Sequence, residues 1–538
     1  MSNEHQPWLK HYDPGVPAEL KIPAISLVDL FNQSVAENAS SVCLIFRGKT
    51  LTYQEVDALS ESFARFLLAQ GLKKGERVGV FLGNVPEFVI SYYGILKAGG
   101  VVMALNPAYK PPEVQAQAVE SGARFLVLPE SAYPMAKRVQ SGTYIESLIV
   151  VGGKHADLEE FDFIWEVVLS HYQGQSSVDI LVSPDDPAVF QYSGGTTGTP
   201  KCAVGLHRNL VANVTQFSHW LVNTKPGEET VLVAIPVYHV YGMVLGMNLA
   251  VAMGARMVLI PDPRDLDHLL TAADAYQATI FPGVPNIYAA INHYPPVLEG
   301  KYNLSSIKAC ISGSAPLPLK VKQEFEALTH GHLVEGYGLS EAPTATHCNP
   351  VLGDNREGSI GLPLPNVDCR IVDLETGTKE MPKGGIGELV IRGPQVMVGY
   401  HERPDETALA IRDGWLYTGD VARMDADGYF YLVDRKKDVI KVGGFQVWPN
   451  EIEAVLMKHP KVREAAVAGV FEPEGTEVSK AWVVLKEGET LTAEALREFC
   501  GEYLTRYKIP EYVEFRQSLP RTMVGKVLRR LLVSEHSD

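Results

Sequence analysis

The period of the hydrophobic positions changes along this chain, and each change marks a different kind of element. Thr52 and Glu55 have the spacing of a capping box, and Val56, Leu59, Phe63 and Leu67 then recur on one helical face until Gly71 closes it. The apolar run at 77–82 that follows reads as a strand, as do 125–128, 148–151, 188–192, 231–235, 257–260 and 307–311. Helix-length segments separate these runs, which predicts helices packed on largely parallel sheets, an α/β architecture. From about Gly358 short alternating strands with Gly and Pro turns take over, at 369–372, 387–392 and 429–433. Arg435-Lys436-Lys437-Asp438 then interrupts the chain at an apparent boundary. Beyond it, Pro449 suits the first turn of a helix carrying Ile452, Val455 and Leu456, and Leu496, Phe499, Cys500 and Tyr503 share a face of a later helix. The pattern predicts a large N-terminal domain of α/β subdomains over 1–434, its β-rich subdomain at about 358–434, and a small α+β domain over 435–538.

Composition supports that division. At 538 residues and 59.0 kDa the chain exceeds one ordinary domain. A formal net charge of −16 excludes a broad nucleic-acid surface, so any polyanion must be held by local cations and backbone dipoles. Cys43, Cys202, Cys310, Cys348, Cys369 and Cys500 are widely spaced, which points away from a disulfide framework and a zinc site. The stretch 231–255 lacks Asp, Glu, Lys and Arg and is long enough to span a bilayer. Pro236, His239, Gly242, Gly246, Asn248 and Gly254 interrupt it, so a buried strand, turn and core helix are expected instead. The first residues lack the regions of a signal peptide and the last are no peroxisomal address, so a cytoplasmic protein is expected.

The chemistry concentrates first in Tyr192-Ser193-Gly194-Gly195-Thr196-Thr197-Gly198-Thr199-Pro200-Lys201. Glycines let the backbone approach a ligand closely, and successive N–H groups, hydroxyls and one cation suit phosphate. Pro200 between Gly198 and Lys201, with Cys202 after the lysine, excludes the G-x-x-x-x-G-K-[ST] loop. Taken alone, such a stretch is also what a surface loop between a strand and a helix looks like.

The order of these residues resembles the phosphate loop of the adenylate-forming superfamily of acyl-CoA synthetases, peptide-synthetase adenylation domains and beetle luciferases. Further segments follow in that superfamily's motif order, from about Phe31 to Leu531. Pro236-Val237-Tyr238-His239-Val240-Tyr241-Gly242 resembles the aromatic-histidine motif, which implies that His239 packs beside the carboxylate of an acyl substrate. Ser312-Gly313-Ser314-Ala315-Pro316 resembles the wall beside adenine. Glu335-Gly336-Tyr337-Gly338-Leu339-Ser340-Glu341 resembles the adenine and metal motif, with Tyr337 stacking on adenine, Ser340 meeting phosphate and Glu341, with Thr196, holding Mg²⁺. The superfamily usually has threonine at the position of Ser340, and serine keeps the oxygen. Tyr417-Thr418-Gly419-Asp420 resembles the ribose motif, where a carboxylate can accept both hydroxyls. Val433 and Arg435 match nucleotide contacts and Lys437 the hinge position. Lys441, Gly443, Gly444, Phe445 and Gln446 match the loop that faces the site during thioester formation, and Pro520 to Lys526 the loop carrying the adenylation lysine, Lys526.

The resemblance implies two half-reactions on ATP, Mg²⁺ and coenzyme A. A carboxylate attacks the α-phosphate to give an acyl adenylate and pyrophosphate, and the CoA thiol then displaces AMP. Lys526, His239, Glu341 and Lys441 are the expected catalytic residues, and a rotation about Lys437 exchanges the two loops of a mobile C-terminal domain. The segments Pro7-Trp8-Leu9-Lys10-His11-Tyr12 and Thr346-His347-Cys348-Asn349-Pro350 resemble bacterial medium- and long-chain fatty acyl-CoA synthetases, with Met243 aligned where some long-chain relatives place a gate. Tyr241, Gly313 and the glycine loop with Gln446 are then assigned to acyl and CoA contacts. A 4-coumarate-type aryl-CoA ligase shares all these motifs. An acyl-AMP ligase serving a carrier protein is opposed by the lack of an insertion after Arg435. Peripheral membrane contact and a homodimer stay open.

Overall fold

The computed structural model describes residues 6–153, 158–175, 177–193, 200–442, 445–472, 476–521 and 526–534. They fall into two compact units, one of residues 1–357, 361–368 and 392–416, the other of 358–360, 369–391 and 417–538.

The first unit is built on two mainly parallel sheets. One has eight strands in the order Gly399–Tyr400, Lys201–Leu206, Pro187–Ser193, Val101–Ala104, Arg77–Val80, Phe125–Pro129, Ser147–Val151 and Phe163–Ile164. The strands that carry candidate chemistry here are β1 (Pro187–Ser193) and β2 (Lys201–Leu206), an antiparallel pair in which Ser193 faces Lys201. The other sheet has nine strands, parallel through its middle and closed by antiparallel pairs at both ends. Within it β3 (Ala309–Ser312) runs parallel to β4 (His332–Leu339), and β4 turns back into β5 (Ala342–Cys348). Parallel strands covered on both faces need continuous apolar runs, and β3 is buried at every position. Phe81, Met103, Leu126, Leu148 and Phe190 pack one core, and Leu232, Val258, Phe281, Tyr288 and Phe325 another.

Local signals explain where the helices begin. Thr52 Oγ1 accepts from Glu55 N at 3.2 Å while the Glu55 carboxylate accepts from Thr52 N at 2.7 Å, so the predicted capping box opens the helix Tyr53–Ala69. The charge-free stretch is the expected buried strand, turn and helix: Thr230–Val233 is a strand, and Gly242–Asn248 forms a π-helix that continues as Leu249–Ala252. Met243, Val244, Met247 and Leu249 are all fully buried. At roughly 1.5–3 kcal/mol for each large apolar side chain, that burial accounts for the segment's composition without a bilayer. No helix among the described residues is long and apolar enough to cross a membrane.

Gly399–Tyr400, the end strand of the eight-stranded sheet, is β6; most of the second unit's first sheet is formed by Asp368–Val372, Ile386–Arg392, β7 (Trp415–Met424) and β8 (Phe430–Arg435). A three-stranded sheet, Val462–Phe471, Glu477–Leu485 and Tyr512–Phe515, follows. The helix Pro449–Leu456 places Ile452, Val455 and Leu456 against it, with Pro449 at its start as predicted. The later helix covers Ala493–Gly501 and buries Leu496 and Cys500. Tyr503 lies beyond its end and is 53% exposed, so the expected helical face stops one turn early.

Candidate active site

The carboxyl ends of β3 and β4 carry the densest group of predicted residues. Parallel pairing sets Ser312 opposite Glu335, so Gly313–Pro316 leave β3 where Gly336 and Tyr337 continue β4 into its pairing with β5. That edge is where open α/β sheets ordinarily receive a ligand. Ser314 takes φ +71°, and a Cβ on Gly313 would stand 3.2 Å from the Tyr241 ring. Ser312 Oγ is buried and makes no hydrogen bond among the described residues. Glu335 is also buried, its carboxylate accepting from Leu317 N at 3.1 Å, and burial pushes its pKa up to about 7 despite that bond.

Tyr337 lies edge-on to His347, centroids 5.8 Å apart, across the β4–β5 pair. Gly338 is required by packing, since a Cβ there would run into the Thr344 carbonyl. Leu339 pairs with Ala342, which leaves Ser340 and Glu341 at the tip of a tight antiparallel turn rather than at the start of a helix. The Glu341 carboxylate accepts from the Tyr400 hydroxyl at 3.0 Å.

His239 sits in the turn before the π-helix. Its Nδ1 accepts from Tyr241 N at 3.2 Å, so in the neutral ring Nε2 carries the proton. Asn84 fixes this turn: its Nδ2 lies 3.0 Å from the carbonyls of both Val233 and Ile235, and its Oδ1 accepts from Val237 N at 2.9 Å. Tyr241 is buried, with its hydroxyl 2.6 Å from the Ile311 carbonyl and 3.1 Å from that of Gly283. Met243 is wholly buried.

Of the phosphate loop, Ser193 ends β1 and Lys201 opens β2, while Gly194, Gly195, Thr196, Thr197, Gly198 and Thr199 lie outside the described residues. Lys201 Nζ stands 2.6 Å from Glu406 Oε2 and 5.2 Å from the Tyr400 ring centre.

The second unit carries the remaining predicted residues. Asp420 on β7 faces Arg435 on β8, and Arg435 Nε meets Asp420 Oδ1 at 2.6 Å. Gly419 adopts φ +70°, and Thr418 Oγ1 donates to the Leu389 carbonyl at 2.7 Å, shaping the part of β7 just before Asp420. Asn450 Nδ2 donates to the Val433 carbonyl at 3.1 Å, while the buried Asp434 accepts from Asn450 N at 2.8 Å. Arg529 bonds Asp438, Asn450 and Glu453, so the segment around Lys437 is tied to two helices. Lys437 lies in the turn closed by the bond from Asp438 N to the Arg435 carbonyl. Lys441 pairs with Gln446 across a hairpin whose Gly443 and Gly444 fall outside the described residues, and Phe445 stacks on Tyr507 at 4.6 Å. Lys526 is exposed, next to a bridge between Arg521 and Val527, and Thr522 to Gly525 fall outside the described residues.

Three participants were not singled out from the sequence: Asn84, Tyr400 and Glu406. Asn84 follows a glycine at a strand end, an ordinary turn signal. Tyr400 and Glu406 sit in a stretch of mixed polarity whose periodicity announces neither strand nor helix.

Comparison with known proteins places the chain in a family. The model of the AMP-binding enzymes matches residues 31–401, and that of the AMP-binding enzyme C-terminal domain matches 451–526. A long-chain-fatty-acid–CoA ligase of Bacillus subtilis (strain 168) is 39% identical over 559 residues, covering 99% of this chain and 98% of the relative. 4-Coumarate–CoA ligase 2 of Nicotiana tabacum is 32% identical over 93% of this chain and 92% of its own. ATP-bound MatB from Rhodopseudomonas palustris superposes with a TM-score of 0.85 at 28% identity, over 96% of this chain and 99% of that one. With its two motif-bearing sheets, its facing Asp420 and Arg435 and these full-length matches, the chain belongs to the AMP-binding, adenylate-forming enzymes and is an AMP-forming acid–thiol ligase.

Proposed function

We propose that this enzyme activates medium- or long-chain fatty acids with ATP and transfers the acyl group to coenzyme A. The observation that carries the reading is the joint edge of β3 and β4, where Ser312 stands opposite Glu335 and Tyr337 and Glu341 follow along β4 and its turn into β5. In the first half-reaction the acid's carboxylate attacks the α-phosphorus, forming the acyl–phosphate bond and releasing pyrophosphate. Lys526 offsets the charge that develops there, and His239 orients the attacking carboxylate through its Nε2–H. In the second, the thiol of CoA adds to the acyl carbonyl, AMP leaves, and the Lys441–Gln446 hairpin lines the approach. Asp420 accepts the ribose hydroxyls, held in place by Arg435.

Glu341 fits Mg²⁺, because this ion is commonly bound through one or two carboxylates together with nucleotide phosphates. One Glu341 oxygen is held by Tyr400. Glu341 would hold the ion, with Thr196, which lies outside the described residues, as the expected second ligand, and the bound ion would supply neutralisation of phosphate charge.

The likeness to a long-chain-fatty-acid–CoA ligase at 39% identity, against 32% for a 4-coumarate–CoA ligase, supports an aliphatic acid over an aryl one. Acid-dependent exchange of pyrophosphate into ATP, run over aliphatic acids of graded length beside cinnamic acids, tests the assignment. Exchange should peak among medium or long aliphatic acids. A peak with cinnamic acids transfers the assignment to the aryl class, and no exchange with any acid removes it.

A further inference from the structure

β6 is only two residues long, yet it stands where two parts of the phosphate site meet. Tyr400 pairs with Ala203 and Gly399 with Val204, so β6 lies against the strand that Lys201 opens. From there the Tyr400 side chain reaches both predicted phosphate groups. Its hydroxyl donates to Glu341 Oε1 at 3.0 Å, and the Lys201 ammonium lies 5.2 Å from its ring centre. The surroundings fix this side chain. Tyr400 N donates to Thr407 Oγ1 at 2.9 Å, and Met397 N donates to the Glu341 carbonyl at 2.8 Å.

We propose that Tyr400 is a positioning residue for adenylation, its hydroxyl orienting the Glu341 carboxylate toward the metal–nucleotide complex while its ring seats the Lys201 ammonium. This rests on the reading of Glu341 as the metal-holding carboxylate. A carboxylate at a turn tip rotates freely about its last torsions, and a single directed hydrogen bond selects the orientation that leaves its other oxygen for a ligand. The ring acts on the lysine through its quadrupole, which does not require the hydroxyl. The two contacts can therefore be separated by substitution.

The test is the affinity for ATP, measured by calorimetry on the full chain without acid, once with Mg²⁺ and once with a chelator. Tyr400→Phe keeps the ring and removes the hydroxyl. Its Kd should rise about three- to tenfold with Mg²⁺ and stay unchanged with chelator, the scale of one lost bond to a charged group. Tyr400→Leu should weaken binding in both conditions, because the lysine loses its seat. In a Glu341→Gln background, Tyr400→Phe should have no further effect. Equal weakening with and without metal, or no change in the Mg²⁺ condition, overturns the proposal. If Glu341→Gln itself leaves Mg²⁺-dependent binding intact, the role of Glu341 fails first and the proposal with it.

Discussion

Glu335 has an environment that changes its chemistry. Its folded pKa is about 7 against an ordinary 4.5, so the folded state holds the proton more tightly than the unfolded chain. The stability this provides is fully present below about pH 4.5 and is lost as pH rises toward 7, by up to about 3 kcal/mol. Glu335→Gln should remove that dependence. Urea unfolding of variant and parent at about pH 5 and about pH 8 should give midpoints that diverge in favour of the variant at the higher pH. Where motif order spoke, the sequence pointed to Tyr337 and Glu341, which lie on one strand and the turn that ends it. Residue environment was not, because the burial of Glu335 depends on neighbours such as Leu317, eighteen positions away.

At the scale of elements, the π-helix Gly242–Asn248 is the most demanding piece. A Cβ on Gly242 would collide with the Pro236 carbonyl, a backbone atom that cannot move aside without shifting the His239 turn. Gly242→Ala is expected to destabilise the protein by roughly 1–3 kcal/mol and to impair acid-dependent exchange together with stability; thermal unfolding beside the exchange assay checks both. The sequence disclosed elements whose patterns were long or capped, such as Tyr53–Ala69 and Pro449–Leu456. It concealed Ile280–Gly283, where Pro282 and Gly283 argue locally against a strand although its neighbours hold it in the sheet. It also concealed β7, whose alternation is broken by Thr418 and Gly419 just before Asp420.

At the scale of the whole molecule, the proposed function assigns residues of both units to one reaction, and the proposed rotation about Lys437 gives a specific expectation. Lys526→Ala should lower acid-dependent pyrophosphate exchange at least about a hundredfold while leaving CoA thioester formation from supplied acyl adenylate largely intact. Equal loss of both activities would refute separate roles for the Lys526 and Lys441 loops. The division into a larger α/β part and a smaller later part was legible because hydrophobic period and turn density change together. The grouping of 369–391 with the C-terminal residues was not, since contacts between distant segments decide it. The Lys201–Glu406 ion pair has a consequence at this scale too. Lys201 is already paired with a carboxylate within a protein of net charge −16, so on its proposed assignment to phosphate an entering anion would have to outcompete Glu406 for it. Chloride or a single inorganic phosphate offers little for that exchange, whereas a triphosphate held at several points offers much. On that assignment the ion pair would select against abundant small anions.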